Sequence, residues 1–159
     1  MSEAIVKSQR GNFDFAFSLM MQFIDVCPDA TWTKNFGGWP IWQQVHHTFA
    51  AVDFFISEPD AVPAESLVPQ AVTFLATVGD TPVSKADMKA FAYKAKAAAD
   101  EYMNTLTDAQ LTQKATGASE RMKRETTHAS VMALMVGHLL YHLGTCDAAL
   151  REQGLKGVF

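Results

Sequence analysis

The sequence predicts an all-α protein, a four-helix bundle with long connections. Three observations carry this reading. Apolar residues recur at helical spacing in four separate stretches. No stretch shows the sustained alternation of a half-buried strand. Two connections, Ser57 to Val83 and Leu106 to Glu125, leave room for at least one crossover. Pattern alone leaves the order of helices around the bundle open.

The first helix is marked by Phe13, Phe17, Met20 and Ile24, one apolar face at i, i+4, i+7 and i+11. Pro28 ends it, because a residue before proline avoids helical angles. Asp29 to Pro40 reads as a loop, with a Gly37-Gly38 pair and two tryptophans, Trp32 and Trp39. Pro40 suits the first position of a second helix, where a missing N–H costs nothing. That helix runs to about Ile56, with Ile41, Val45, Phe49 and Val52 on one face. Pro59, Pro63 and Pro69 punctuate a linker, and Gln70 to Val78 fits a short helix or an extended piece. Ser84 opens the third helix as an N-cap, with Asp87 as its capping-box partner. The alanine-rich stretch Lys85 to Tyr102 has high helix propensity. Thr107 with Gln110 indicates a capped turn, and Gly117 to Lys123 reads as polar loop. The last helix begins near Thr126–Thr127 and runs to about Gln153, where Gly154 is a suitable stop.

A length of 159 residues predicts one domain, 1–159. The chain carries 13 Lys and Arg against 17 Asp and Glu, a net charge of −4. That balance lacks the basic footprint of a nucleic-acid binder. Cys27 and Cys146 are the only cysteines, too few for a disulfide framework. No leader pattern opens the chain. The longest apolar stretch, Ala129 to Leu143, holds two histidines, His138 and His142, and is shorter than the ~20 residues of a membrane span. A soluble cytoplasmic protein with no nucleic-acid or membrane partner is expected.

The five histidines are grouped. His46 and His47 are adjacent in the second helix, and His128, His138 and His142 lie in the last. His138 and His142 are four apart, which stacks two imidazoles on one helix face. The same spacing lets two ring nitrogens reach one metal ion. Both follow the stripe through Val131, Leu134 and Met135, so both should point inward. Inward imidazoles need either a metal or a hydrogen-bond network to satisfy their nitrogens. A third imidazole from the second helix would complete three protein ligands plus an open position, the pattern of catalytic zinc-type sites. Helical phase favours His46 for that role, nearer the Val45–Phe49 stripe than His47. His128 is ten residues before His138, ~15 Å along a helix, and cannot share the ion. Cys146 reads as a small buried residue rather than a ligand.

Other chemistries lack their motifs. There is no HExxH, and Gly37-Gly38 lacks the lysine and preceding strand of a phosphate loop. The Glu-x-x-His spacing of di-iron bundles occurs once, at Glu125 and His128, with no second copy. Trp32, Trp39 and Trp42 read as core and cap packing, and Met20, Met21, Met132 and Met135 as core filler.

Four segments carry a family resemblance. They are the helix end Cys27-Pro28-Asp29, WPIWQQVHHTFAAVDFF, TLTDAQL, and HASVMALMVGHLLYHLGTCDAALREQG. Together they resemble the DinB/YfiT-like superfamily of metal-dependent four-helix-bundle proteins, over nearly the whole chain. The sharpest features are His138-x3-His142 followed by Leu143-Gly144, and the Trp42-x4-His47-Thr48 spacing. The resemblance implies an up-down-down-up-like bundle and a three-histidine site for a divalent ion, zinc, nickel or iron. The ligands it implies are His47, His138 and His142, so here it prefers His47 where helical phase preferred His46. It also implies a homodimer, and a small-molecule substrate. Members include S-transferases that use low-molecular-weight thiols such as bacillithiol or mycothiol, and a thiol-dependent isomerase. A thiol S-transferase or hydrolase acting on small electrophiles is therefore expected, with a low-molecular-weight thiol as cosubstrate. The alternative is a non-catalytic metal-binding or stress-response module.

Self-association has its own sequence signal. Phe13, Phe15 and Phe17 cannot all face one core, because alternate helical residues point ~160° apart. Phe15 should lie on a second face, as an interface or under the Ser57 to Val83 connection.

Overall fold

The computed structural model describes residues 2–62 and 64–158. Pro63, one of the three linker prolines, lies outside the described residues. The fold is all-α, as expected, and four long helices form its core: α1 (Ala4–Val26), α3 (Ile41–Ile56), α5 (Lys85–Asn104) and α7 (His128–Arg151). Between them lie three shorter helices, α2 (Asp29–Trp32), α4 (Gln70–Thr73) and α6 (Thr116–Met122).

The helix order follows from the packing. Both α1 and α3 pack against α5 on one side and α7 on the other. The ring therefore runs α1, α7, α3, α5. Its interior is filled by Phe13, Met20, Trp42, Phe49, Met132 and Leu139, each almost completely removed from water. Methionine is well suited to this filling, since its flexible thioether adapts to irregular gaps.

α1 begins earlier than its phenylalanine stripe, because Val6 is buried and extends the apolar face by two turns. Glu3 supplies no cap. Asp108, from a 3₁₀ turn at Asp108–Gln110, accepts from the Ile5 and Val6 N–H groups instead. A distant carboxylate thus satisfies donors that a helix start leaves open. At the other end Cys27 is extended before Pro28, as the proline requires.

The expected loop from Asp29 to Pro40 is more ordered than its composition indicates. It holds α2 and a minimal antiparallel ladder of β1 (Asn35–Phe36) and β2 (Trp39–Pro40). Gly37 and Gly38 turn it, both at positive φ, the requirement of a tight two-residue hairpin. Gly37 is constrained twice, because a Cβ there would come within 2.9 Å of the Thr145 methyl on α7. Gln44 fastens the hairpin to α3 by donating to the Phe36 and Trp39 carbonyls. Gln43, one residue earlier, does the same for the linker. Its amide donates to the Val72 and Thr77 carbonyls and accepts from the Gly79 N–H.

Gln70 to Val78 resolves into one helical turn followed by a bend at Leu75, where φ is +58°. Gly117 to Lys123 corrects the polar-loop expectation, since most of it is α6. The segment looks polar because its inner face is small: Gly117, Ala118 and Ser119 are buried. A Cβ at Gly117 would lie 2.0 Å from the Ser57 carbonyl, so glycine alone lets α6 sit on the end of α3.

The N-cap expectation at Ser84 holds, though the Asp87 carboxylate accepts from the Ser84 hydroxyl rather than closing a capping box, and Thr107 with Gln110 does form a capping box. Ser84 accepts from the Asp87 N–H at 3.1 Å at the start of α5, and Thr127 from the Ser130 N–H at 3.3 Å at the start of α7. Ser84→Ala should lower stability by about 1 kcal/mol, read as a reduced unfolding midpoint in urea with an unchanged slope.

α7 spans 24 residues and is long and apolar enough, by length and composition, to cross a membrane. The shorter Ala129 to Leu143 stretch does not reveal this. A core helix meets the same test, and Val131, Met135, Leu139 and Leu143 of α7 are buried against the bundle.

Candidate metal centre

The packing of α3 on α7 sets the site. His138 and His142 stand one turn apart on the same face of α7, as their spacing requires. His47 meets them from α3. The ring centroids of the three imidazoles are 4.9, 5.0 and 4.7 Å apart, with planes at 69–76° to one another. One ring nitrogen from each lies within 4.8 Å of the other two. His47 Nε2 and His138 Nε2 are 3.2 Å apart.

His47 is oriented by a backbone group. Its Nδ1 lies 2.9 Å from the Thr73 carbonyl at the end of α4. A carbonyl only accepts, so the proton sits on Nδ1 and the Nε2 lone pair faces the other two rings. Thr73 is itself held in place. Its side chain is 2.8 Å from the Ser66 hydroxyl and donates to the carbonyls at the start of α4. An imidazole with one nitrogen tied to a carbonyl and the other aimed at a shared point has the arrangement that metal-binding histidines use.

Burial keeps the three rings neutral. It holds His47 below the ordinary imidazole range, against the opposing pull of the Thr73 carbonyl. It pushes His142 down to about 4, with His47 adding repulsion. It pushes His138 down to about 3, with both neighbouring imidazoles adding to the effect. At neutral pH the cluster therefore presents lone pairs and not N–H⁺ groups. Apolar edges surround it. Phe55 stands edge-on to His138 at 5.7 Å and Tyr141 edge-on to His142 at 5.1 Å.

The donor set fits a divalent ion. Two imidazoles bound at ~2.0–2.1 Å to one tetrahedral ion have their nitrogens about 3.3 Å apart, close to the separation of His47 and His138. Buried Nδ1 atoms of His138 and His142 have no hydrogen-bond partner among the described residues. A hydrogen-bonded histidine network would use these atoms; here it is incomplete. The cluster is thus capable in principle of coordinating a metal ion. Its fitted group contains three histidines and no fourth protein donor among the described residues.

His46 is placed elsewhere. It is completely buried, as helical phase requires, but on the α5 side. Its ring stacks on Phe91 at 4.8 Å, and its Nε2 is 3.4 Å from the Ser66 hydroxyl. Phase reported burial correctly and did not distinguish which buried face meets α7. His128 starts α7 and pairs with the Tyr102 hydroxyl at 2.7 Å, apart from the cluster. Cys146 is fully buried and outside the histidine group. Burial raises its thiol strongly and raises Cys27 to about 11, so neither is poised as a nucleophile. Thr73 was not visible in the sequence as a site residue, because its contribution is a backbone carbonyl that any residue supplies.

A four-helix core with three convergent imidazoles defines a histidine-cluster bundle, open to metal coordination on the α3–α7 side. Residues 12–146 match the DinB superfamily, and the chain belongs to that superfamily. No curated protein and no solved structure gives a match.

Proposed function

We propose that His47, His138 and His142 hold a divalent ion, zinc, nickel or iron, and that the protein uses it to act on small electrophiles with a thiol or water. The observation that supports this most directly is the His47 geometry. Its Nδ1–H is committed to Thr73, and its Nε2 lies 3.2 Å from His138 Nε2 with the His142 ring beside it. A bound divalent ion lowers the pKa of a coordinated thiol or water and so supplies a nucleophile near neutral pH. The three neutral imidazoles leave the charge of such a centre undiminished. Thr73 fixes the ring of His47, and Phe55 and Tyr141 wall the cluster with apolar edges that favour a low local dielectric. His47 and His138 are only half-buried, which leaves an approach from solvent.

The test is turnover. Zinc-, nickel- or iron-loaded protein is offered several low-molecular-weight thiols with a haloalkyl electrophile that fluoresces on thiol addition. Rate enhancement should vanish with a chelator and return with one of the three metals. Stoichiometric metal without turnover for any thiol, or for hydrolysis, supports the metal-binding module instead. Turnover that survives in the His138→Ala, His142→Ala double variant places the chemistry elsewhere.

A cytoplasmic homodimer belongs to the same reading. Phe15 is 56% exposed while Phe13 and Phe17 are buried, so Phe15 stands on the outer side of α1, where a partner chain would meet it. Light scattering at micromolar concentration should give twice 17.5 kDa, and Phe15→Glu should shift the mass toward one chain. A single-chain mass across a tenfold concentration range rejects the dimer.

A further inference from the structure

A cavity of about 800 Å³ lies between α3, α5 and the linker, with no residue of α7 in its lining. That is within the ~300–1,000 Å³ range of small-molecule sites. Four phenyl rings shape it: Phe49 and Phe54 of α3, Phe91 of α5, and Phe74 just beyond α4. Ala95 and Ala98 of α5 contribute only methyl groups to its wall, which is what leaves the space open. None of the three clustered histidines lines it. The two sites share one wall, Thr73, which faces the cavity and gives its carbonyl to His47.

The charged groups of the cavity are not equivalent. Asp53 has both oxygens engaged, one with the Ser57 hydroxyl and one with the Ala64 N–H. Glu65 is exposed and is free to stay in water. Arg121 donates through both terminal nitrogens to the Ser57 and Glu58 carbonyls, which hold it in place without neutralising it. Lys94 is exposed and makes no ion pair or hydrogen bond among the described residues. The cavity therefore offers a hydrocarbon-lined interior beside two cations that have no carboxylate partner among the described residues.

We propose that this cavity binds a small apolar molecule with a single anionic head, of which a medium-chain fatty carboxylate is the simplest example. The hydrocarbon lies among the four phenyl rings, and the head group meets Lys94 and Arg121. Burying each methylene contributes about 0.8 kcal/mol, so the chain supplies the affinity and the cations select the charge.

The test is isothermal titration of metal-free full-length protein, in chelator, with decanoate, decan-1-ol and decyltrimethylammonium. Working without metal keeps the outcome independent of the histidine cluster. Decanoate should bind at one site per chain, more tightly than the alcohol, and the ammonium should bind weakest. Lys94→Gln, an exposed change with little risk to folding, should weaken decanoate about three- to fivefold and leave the alcohol unchanged. Ala98→Trp, checked for an unaltered melting profile, should abolish binding of both by filling the cavity. Should Ala98→Trp unfold the chain, Ala95→Leu serves, with a smaller expected loss of at least threefold. The proposal is overturned by an absence of saturable decanoate binding, by a preference for the ammonium, or by folded cavity-filling variants that bind as before.

Discussion

His138→Ala and His142→Ala proteins, purified without an affinity tag, should each carry far less than stoichiometric metal, while the unaltered protein carries about one ion per chain. Three protein ligands are the minimum of a catalytic-type site. Losing one leaves two imidazoles, and in each of these variants His47 loses a neighbour it stands 4.9 or 5.0 Å from. The sharper contrast is between two adjacent residues. His47→Ala should abolish stoichiometric loading, because it removes the only imidazole that α3 brings to α7. His46→Ala should keep the metal and lose stability instead, by about 2 kcal/mol or more, since it empties a fully buried position stacked on Phe91. Metal analysis and urea unfolding on the same four variants separate these effects. If metal follows His46 and not His47, the cluster described here is a hydrogen-bonded packing feature. Unchanged metal in all four variants would remove the histidines from the site altogether.

That contrast shows what could be read from the residues alone. The four long helices were legible because each buries a stripe at helical spacing, and a stripe survives in the linear sequence. His138 and His142 were legible for the same reason: one helix carries both. His47 was different. Its partner surface belongs to another helix, and α3 buries two faces, one on α5 and one on α7. Hydrophobic phase averages over the two and selected His46. The family resemblance separated them through the Trp42-to-His47 spacing, which reflects a whole fold and not a local period.

What stayed hidden depends on main-chain atoms or on absent side-chain atoms. The Thr73 carbonyl has no residue-specific signal. Gln43 and Gln44 look like surface glutamines, yet both are buried because each captures carbonyls of a segment distant from its own helix turn. α6 packs through Gly117, whose value lies in the missing Cβ. Such contacts form only once the helices are placed, so a composition reading assigns those segments to loops.

Metal-free protein should lose stability steeply as pH falls from about 6.5 to about 4, before most carboxylates are protonated. In the unfolded chain each histidine takes up its proton near pH 6.5. In the folded chain burial holds His46 and His142 down to about 4, and His138 to about 3. Across that window the unfolded state binds more protons, so acid draws the equilibrium toward unfolding. Stability is fully present above pH 6.5 and is lost as pH falls toward the folded values. Each histidine contributes at most about 1.4 kcal/mol per pH unit, less for His138, which retains some contact with solvent. Even discounted, several kcal/mol are at stake, comparable to the whole stability of an ordinary domain. Circular dichroism across a pH series should show it, and His46→Phe provides the control. That change keeps an aromatic ring against Phe91 and removes one titrating group, so it should flatten the acid limb without touching the metal cluster. Zinc acts in the opposite sense, because an ion bound only by the folded state adds stability by mass action. Saturating zinc should therefore move the acid midpoint to lower pH in the unaltered and His46→Phe proteins, and leave it unmoved in His142→Ala. A flat stability profile between pH 6.5 and 4 in the metal-free protein would show that the buried imidazoles take up protons as readily as they do in water.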